Sequence, residues 1–162
     1  MRSLDFISCA LGTFLCGAIV ATSAVEAEEA RLTALVNLKG TCRKLTVKGT
    51  DQTAVCRGVL VNSIYSDGRT GFYFAAADGF FLTFSNRGQE QIKPDANTAI
   101  SPVDMVLAGY KGGVDRIRAT GSCKFTDPYH GPAPVVCRAE TAVGVFEGSF
   151  VSDGGKPDAK TF

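Results

Sequence analysis

Four cysteines beyond position 27 are the residues whose spacing most clearly suggests chemistry. Thirteen residues separate Cys42 from Cys56, and thirteen separate Cys123 from Cys137. A zinc site would favour short spacings such as Cys-x2-Cys, and so would a redox-active pair. The matched spacing instead predicts the disulfides Cys42 with Cys56 and Cys123 with Cys137, although sequence alone permits three connectivities. We therefore expect no metal and no cofactor here.

The only histidine, His130, lies in the proline-rich stretch "GSCKFTDPYHGPAPVVCR". A catalytic interpretation would make it a general base, which needs an acid to orient it and a serine nucleophile. The candidates are Asp127 or Asp153 for the acid and Ser122 or Ser149 for the nucleophile. No Gly-x-Ser-x-Gly signature accompanies them, so we expect a solvated histidine at the apex of a proline-stiffened hairpin.

Carboxylate pairs offer a second route to hydrolysis, with Asp104, Asp115 and Glu140 as the candidates. Surface acids are much commoner than catalytic pairs. The chain also has no glycine-rich phosphate loop. We therefore expect a protein that is not an enzyme, and keep as the alternative a small secreted hydrolase that uses His130 or a carboxylate pair.

The first 27 residues have the layout of a secretory signal peptide. Arg2 precedes an apolar run from Phe6 to Val20, and small residues lead to an acidic start at Glu28. The run is shorter than the roughly 20 residues that span a membrane, and no second run of that kind follows. We predict a signal peptide over 1–27, no membrane span after its removal, and a periplasmic or secreted protein. The absence of an Asn-x-Ser/Thr sequon favours a bacterial periplasm.

Charges of both signs are interspersed, and the formal net charge is +1 at pH 7. No basic stripe or acidic tail is present, so we expect no nucleic-acid partner. The length suits one domain, which we place at residues 28–151. The polar residues 152–162 are expected to fray.

The two cysteine segments repeat each other at an offset of 81 residues. Each reads Gly, Ser or Thr, Cys, a basic residue, eleven residues, then Val, Cys, Arg. Apolar residues alternate upstream of each first cysteine, which is typical of strands. We therefore predict two related halves, each with a disulfide-clasped hairpin.

Short β-like runs and frequent turn signals predict an all-β fold of about eight strands. We favour a small antiparallel barrel over the alternative, a two-sheet sandwich. A change in the alternation at Arg43 and Lys44 predicts a β-bulge. Residues 86–102 are polar and are expected to connect the halves.

The stretch "GFYFAAADGFFLTFS" carries the strongest hairpin signal. A two-residue turn at Asp78 and Gly79 would pair Tyr73 with Phe84. The opposite face would then gather Phe72, Phe74, Phe81 and Thr83. Both faces are apolar, so each must be covered within the domain or must bind something. We predict that the face with Phe72, Phe74, Phe81 and Thr83 binds and that Phe84 lies in the core.

These features predict an exported, non-catalytic binding or interaction module of the bacterial envelope, with a purely structural envelope protein as a further alternative. The expected partner is an apolar ligand, an envelope or extracellular protein, or a second copy of the chain. A lined internal cavity would favour a small ligand, whereas a filled core with an exposed apolar patch would favour a protein.

Overall fold

The computed structural model describes residues 29–110 and 112–162, so the predicted signal peptide lies outside the described residues. The described residues form ten strands: β1 Leu32–Val47, β2 Thr50–Asp51, β3 Cys56–Tyr65, β4 Arg69–Ala76, β5 Phe81–Arg87, β6 Thr98–Tyr110, β7 Gly113–Thr126, β8 Pro134–Thr141, β9 Gly144–Ser152 and β10 Asp158–Thr161. Short 3-10 turns occupy Thr53–Val55, Gly88–Glu90 and Pro128–His130. In this part of the chain no helix is both long and apolar enough to cross a membrane.

Eight of these strands close into an antiparallel barrel in the order β1-β3-β4-β5-β6-β7-β8-β9, with β1 pairing β9. The prediction of an all-β barrel is confirmed. Closure depends on β1, whose residues 32–39 pair β3 and whose residues 40–46 pair β9. The register shifts between Cys42 and Lys44, which confirms the bulge. A bulge bends a strand and increases its twist, as a tightly coiled barrel requires.

The C-terminal tail differs from the expected fraying. Residues Asp158–Thr161 form β10, which pairs antiparallel with β1 at Ala34 to Asn37. Because β9 covers only the second half of β1, the first half has free backbone groups on that side, and the tail satisfies them. The expected connection at 86–102 is also shorter, since β6 already begins at Thr98.

The barrel interior is filled with side chains. Phe74, Phe84, Phe146 and Phe150 are each 0% exposed, and leucines, valines and the Cys123–Cys137 bridge pack around them. An interior of this size is just wide enough for side chains. Full burial of one such ring stabilises the fold by about 1.5–3 kcal/mol. The interior is therefore the hydrophobic core.

Both predicted disulfides are confirmed, one in each half of the chain. Cys123 and Cys137 face each other across β7 and β8, with their Cα atoms 4.0 Å apart. Cys42 and Cys56 lie 6.0 Å apart, beyond the point where β1 leaves β3 for β9. The Cys123–Cys137 bridge therefore joins facing residues of a regular hairpin. The Cys42–Cys56 bridge instead joins two strands at the point where they separate.

The two halves also share a glycine just before the first cysteine. A Cβ atom on Gly40 would collide with the backbone of Val151, and one on Gly121 would collide with the backbone of Arg138. The two positions are 81 residues apart, as the repeat predicts. Each half thus uses a glycine where a neighbouring strand approaches closely.

Candidate functional site

The register of the β4–β5 hairpin differs from the prediction by one residue. Phe72 pairs with Phe84, and Tyr73 pairs with Thr83. The Ala76 amide donates to the Phe80 carbonyl at 2.9 Å, so the loop has three residues instead of two. Gly79, at its third position, has φ of 88°, which is the left-handed conformation expected in a three-residue hairpin loop. The predicted two-residue turn is therefore wrong.

This shift separates the four residues predicted to form the binding face. Phe72 and Phe74 point into the barrel and are 4% and 0% exposed. Phe81 and Thr83 lie on the outer wall, because a one-residue slip exchanges the two faces of one strand relative to the other. The rings of Phe74 and Phe84 contact each other edge to face at 5.8 Å. Phe74 therefore belongs with Phe84 in the core, and a shared face for all four residues is wrong.

A groove of about 450 Å³, here called the outer groove, runs along the outside of the barrel. Its main lining comes from Leu35, Val61, Tyr73, Phe81, Thr83 and Leu107, and it extends to Val114 and Arg116. These residues belong to β1 and β3 through β7, six neighbouring strands. It is therefore an apolar surface on the outside of a filled barrel.

The centre of the outer groove is aromatic. Tyr73 and Phe81 stack with ring centroids 5.1 Å apart and an interplanar angle of 23°. Phe81 also covers Gly109, its cross-strand partner, where a Cβ atom would collide with the ring. A glycine in this position allows an aromatic ring to lie against the sheet. Phe81 and Thr83 were among the residues predicted to bind, whereas Tyr73, Leu107 and Gly109 were not, because their placement depends on the three-residue loop and on the pairing of β5 with β6.

Two arginines on the outer face of β7 lie at one end of the groove. Arg116 lines the groove, and Arg118, two residues later, lines a neighbouring cleft. Among the described residues neither has a carboxylate within 4 Å. By contrast, Arg69 and Arg87 on the outer wall both pair with Asp104. The end of the groove therefore carries uncompensated positive charge.

The neighbouring cleft has a volume of about 820 Å³ and is polar. Asp104 and Glu140 both line it, so it contains two of the three carboxylates considered for catalysis. The Arg69 guanidinium, at 2.6 Å, and then Arg87 hold the pKa of Asp104 down to about 2. A general acid needs the opposite shift. Glu140 is itself bound by Arg138 at 2.7 Å.

His130 lies at the tip of the β7–β8 connection, with 74% of its side chain exposed. Its Nδ1 atom is 2.9 Å from Asp127, one of the two acids proposed to orient it. Asp127 also accepts a hydrogen bond from the Tyr129 amide and so caps the 3-10 turn, and that amide is the main cause of its lowered pKa. Within residues 29–110 and 112–162 no serine hydroxyl hydrogen-bonds to the imidazole. The geometry is that of a capped exposed loop.

A third concave surface lies at the barrel end that carries the β1–β2 and β4–β5 turns. This mouth has a volume of about 330 Å³ and is lined by Val47, Gln52, Val55, Phe80 and Tyr110 among others. Phe80 packs against the core from this end, so the mouth is a shallow depression above a filled interior.

No group of three or more His, Cys, Asp or Glu residues in the described part of the chain could hold a metal ion. No protein-family model matches the chain, and neither a curated protein nor a solved structure matches it.

Proposed function

We propose that this protein is an exported binding module whose outer groove holds an apolar side chain of a protein partner. The observation that carries the proposal is the contrast between a barrel interior filled by phenylalanines and an apolar, aromatic groove on its outside. A filled core leaves no room for an internal ligand. Apolar grooves on a protein surface are typical of interaction sites.

The shape of the outer groove favours a protein segment over a small molecule. Small-molecule sites are usually enclosed and bury most of the ligand. The outer groove instead crosses six strands on the barrel wall. Aromatic residues such as Tyr73 and Phe81 are also the types that dominate binding energy at protein interfaces.

The scaffold around the groove suits a rigid recognition surface. Two disulfides close the strand pairs β1–β3 and β7–β8, and both of these pairs contribute residues to the groove. A surface that is already ordered loses less entropy on binding. Disulfides are typical of oxidising compartments, which supports the proposed periplasmic or secreted location.

Peptide selection followed by binding measurements tests the proposal. A phage-displayed library of random dodecapeptides is panned on the disulfide-intact protein, and enriched peptides are synthesised with a fluorophore. We expect them to contain a large apolar residue. Phe81→Ser should weaken their binding about thirtyfold or more, because central aromatic contacts carry most of the energy of an interface.

Val136→Ser is the matched control, because Val136 is 49% exposed on β8 and does not line the groove. It should bind as the wild type does. Equal affinity of wild type and Phe81→Ser, with both folded by circular dichroism, would contradict the proposal. So would a library that yields no binding peptide.

A further inference from the structure

We infer that the partner segment is acidic as well as apolar, and that Arg116 and Arg118 bind its carboxylates. This inference rests on the proposed function of the outer groove. It adds the charge of the partner, which the apolar lining alone does not specify.

The placement of the two arginines is the first argument. Arg116 is the cross-strand partner of Leu107, a residue of the groove, and Arg118 is the partner of Met105 on the same strand. Alternate residues of a strand point to the same face and lie about 7 Å apart. Two cations therefore follow one another on the outer wall, at the point where the groove reaches β7.

The lack of internal partners is the second argument. Arg69 and Arg87 share the carboxylate of Asp104 in hydrogen bonds of 2.6–3.1 Å. In the part of the chain that the structure describes, Arg116 and Arg118 have no such contact. An anion that neutralises them must therefore come from solvent or from a partner.

The other acids near the two arginines are engaged or point elsewhere. Asp104 is held by two arginines, and Glu140 binds Arg138 at 2.7 Å. Asp115 precedes Arg116, and adjacent residues of a strand point to opposite faces. No internal carboxylate therefore competes with a partner for Arg116 and Arg118.

The surroundings decide which anion fits. A guanidinium presents a planar fork that matches a carboxylate with two hydrogen bonds. Among the described residues that line the groove and the cleft, Arg116 and Arg118 are the two cations without a carboxylate partner. Two cations match one or two carboxylates, whereas a nucleic acid is bound through many phosphate contacts. An extended peptide with one or two Asp or Glu residues beside an apolar residue satisfies both the groove and the arginines.

The test compares peptide charge and protein charge in the same assay. Peptides enriched on the wild-type protein are synthesised as selected and with each Asp or Glu replaced by Asn or Gln. Binding is measured for wild type, Arg116→Gln and Arg118→Gln. Arg43→Gln is the matched control, since Arg43 is exposed on β1, has no ion pair with the described residues and does not line the groove.

We expect acidic residues to be enriched, and each arginine substitution to weaken binding about three- to tenfold, as does the amide peptide. Raising NaCl from 50 to 500 mM should weaken wild-type binding by a similar factor, because salt screens exposed charges. Arg43→Gln should bind as the wild type does. A switch of preference to lysine-containing peptides in Arg116→Glu would identify Arg116 directly.

The two proposals fail in different ways. If Phe81→Ser loses binding while the amide peptides and both arginine variants bind normally, the inference of an acidic partner is wrong. The outer groove then remains the proposed binding site. If Phe81→Ser binds normally, the groove itself is wrong, and the inference falls with it.

Discussion

The two faces of the β4–β5 hairpin are both apolar, yet they do different things. On the inner face, Phe72, Phe74, Leu82 and Phe84 are at most 4% exposed and form part of the core. On the outer face, Tyr73 and Phe81 stack on each other and are only half-buried. Large aromatic rings occur on both sides, although the outer side also carries Thr83 and Ser85. What distinguishes core from candidate binding surface is therefore whether other strands cover the face, which depends on barrel closure.

On each face, one glycine of another strand lies against the aromatic rings. On the inner side, a Cβ atom on Gly148 of β9 would lie 2.6 Å from the ring of Phe74 and 2.9 Å from that of Phe84. On the outer side, a Cβ on Gly109 would collide with the ring of Phe81. Inner rings are surrounded by other side chains and cannot move, whereas Phe81 faces an open groove.

The largest expected effect is on the inner face. Phe74→Ser and Phe84→Ser should each lower the free energy of unfolding by about 3–5 kcal/mol or more, because each removes a fully buried ring. Urea denaturation measures both. If Phe74→Ser lowers the free energy of unfolding far less than Phe84→Ser does, Phe74 lies outside the core. That result would contradict the assignment of Phe74 to the inner face.

Alternation within each strand predicted which residues of that strand share a face, and it was right for β4 and for β5 taken separately. Which residues of β4 share a face with which residues of β5 depended on the length of the loop, because "ADG" is compatible with either a two-residue or a three-residue loop. Cysteine spacing also predicted both disulfides, and a change in the apolar alternation predicted the bulge at Arg43. Neither could predict that β1 exchanges β3 for β9 near Gly40, because the partner of a strand depends on tertiary contacts.

Loss of the Cys123–Cys137 bridge should have the next largest effect. Cys123→Ser opens a loop of about 15 residues and should destabilise the protein by about 3 kcal/mol. Both cysteines are at most 1% exposed and pack in the core behind the inner face. At temperatures where the variant is folded, its peptide affinity should match the wild type. A large loss of affinity in the folded variant would mean that peptide binding depends on this bridge in the core. That result would contradict the separate roles of the inner and outer faces.

Substitutions at Gly148 and Gly109 should affect stability and peptide binding differently. Gly148→Ala overpacks the core and should cost about 1–3 kcal/mol. Gly109→Ala should cost less than about 1 kcal/mol, since Phe81 can swing into the groove, yet it should weaken peptide binding. Thermal denaturation and fluorescence titration of both variants give the two readouts. Equal stability costs, or unchanged binding in Gly109→Ala, would contradict the assigned roles.

The smallest effect is expected at the ion pairs of the outer wall. The folded-state pKa of Asp104 is about 2, against an ordinary value of 3.8, because Arg69 and Arg87 bind its carboxylate. Its contribution is therefore fully present above about pH 4 and is lost as the pH falls towards about 2. Asp104→Asn should cost on the order of 1 kcal/mol at pH 7, after allowance for its partial exposure. Stability curves should converge near pH 2; a difference that persists there would have another cause.

The most direct test of the outer groove as a binding site is a nuclear magnetic resonance titration of the wild-type protein with an enriched peptide. We predict that the largest amide shift changes fall at Tyr73, Thr83 and Leu107, in the outer groove. Amides of the barrel mouth, such as Gln52 and Tyr110, should stay unchanged. Changes concentrated at the mouth or in the cleft at Glu140, with the groove amides unmoved, would contradict the account.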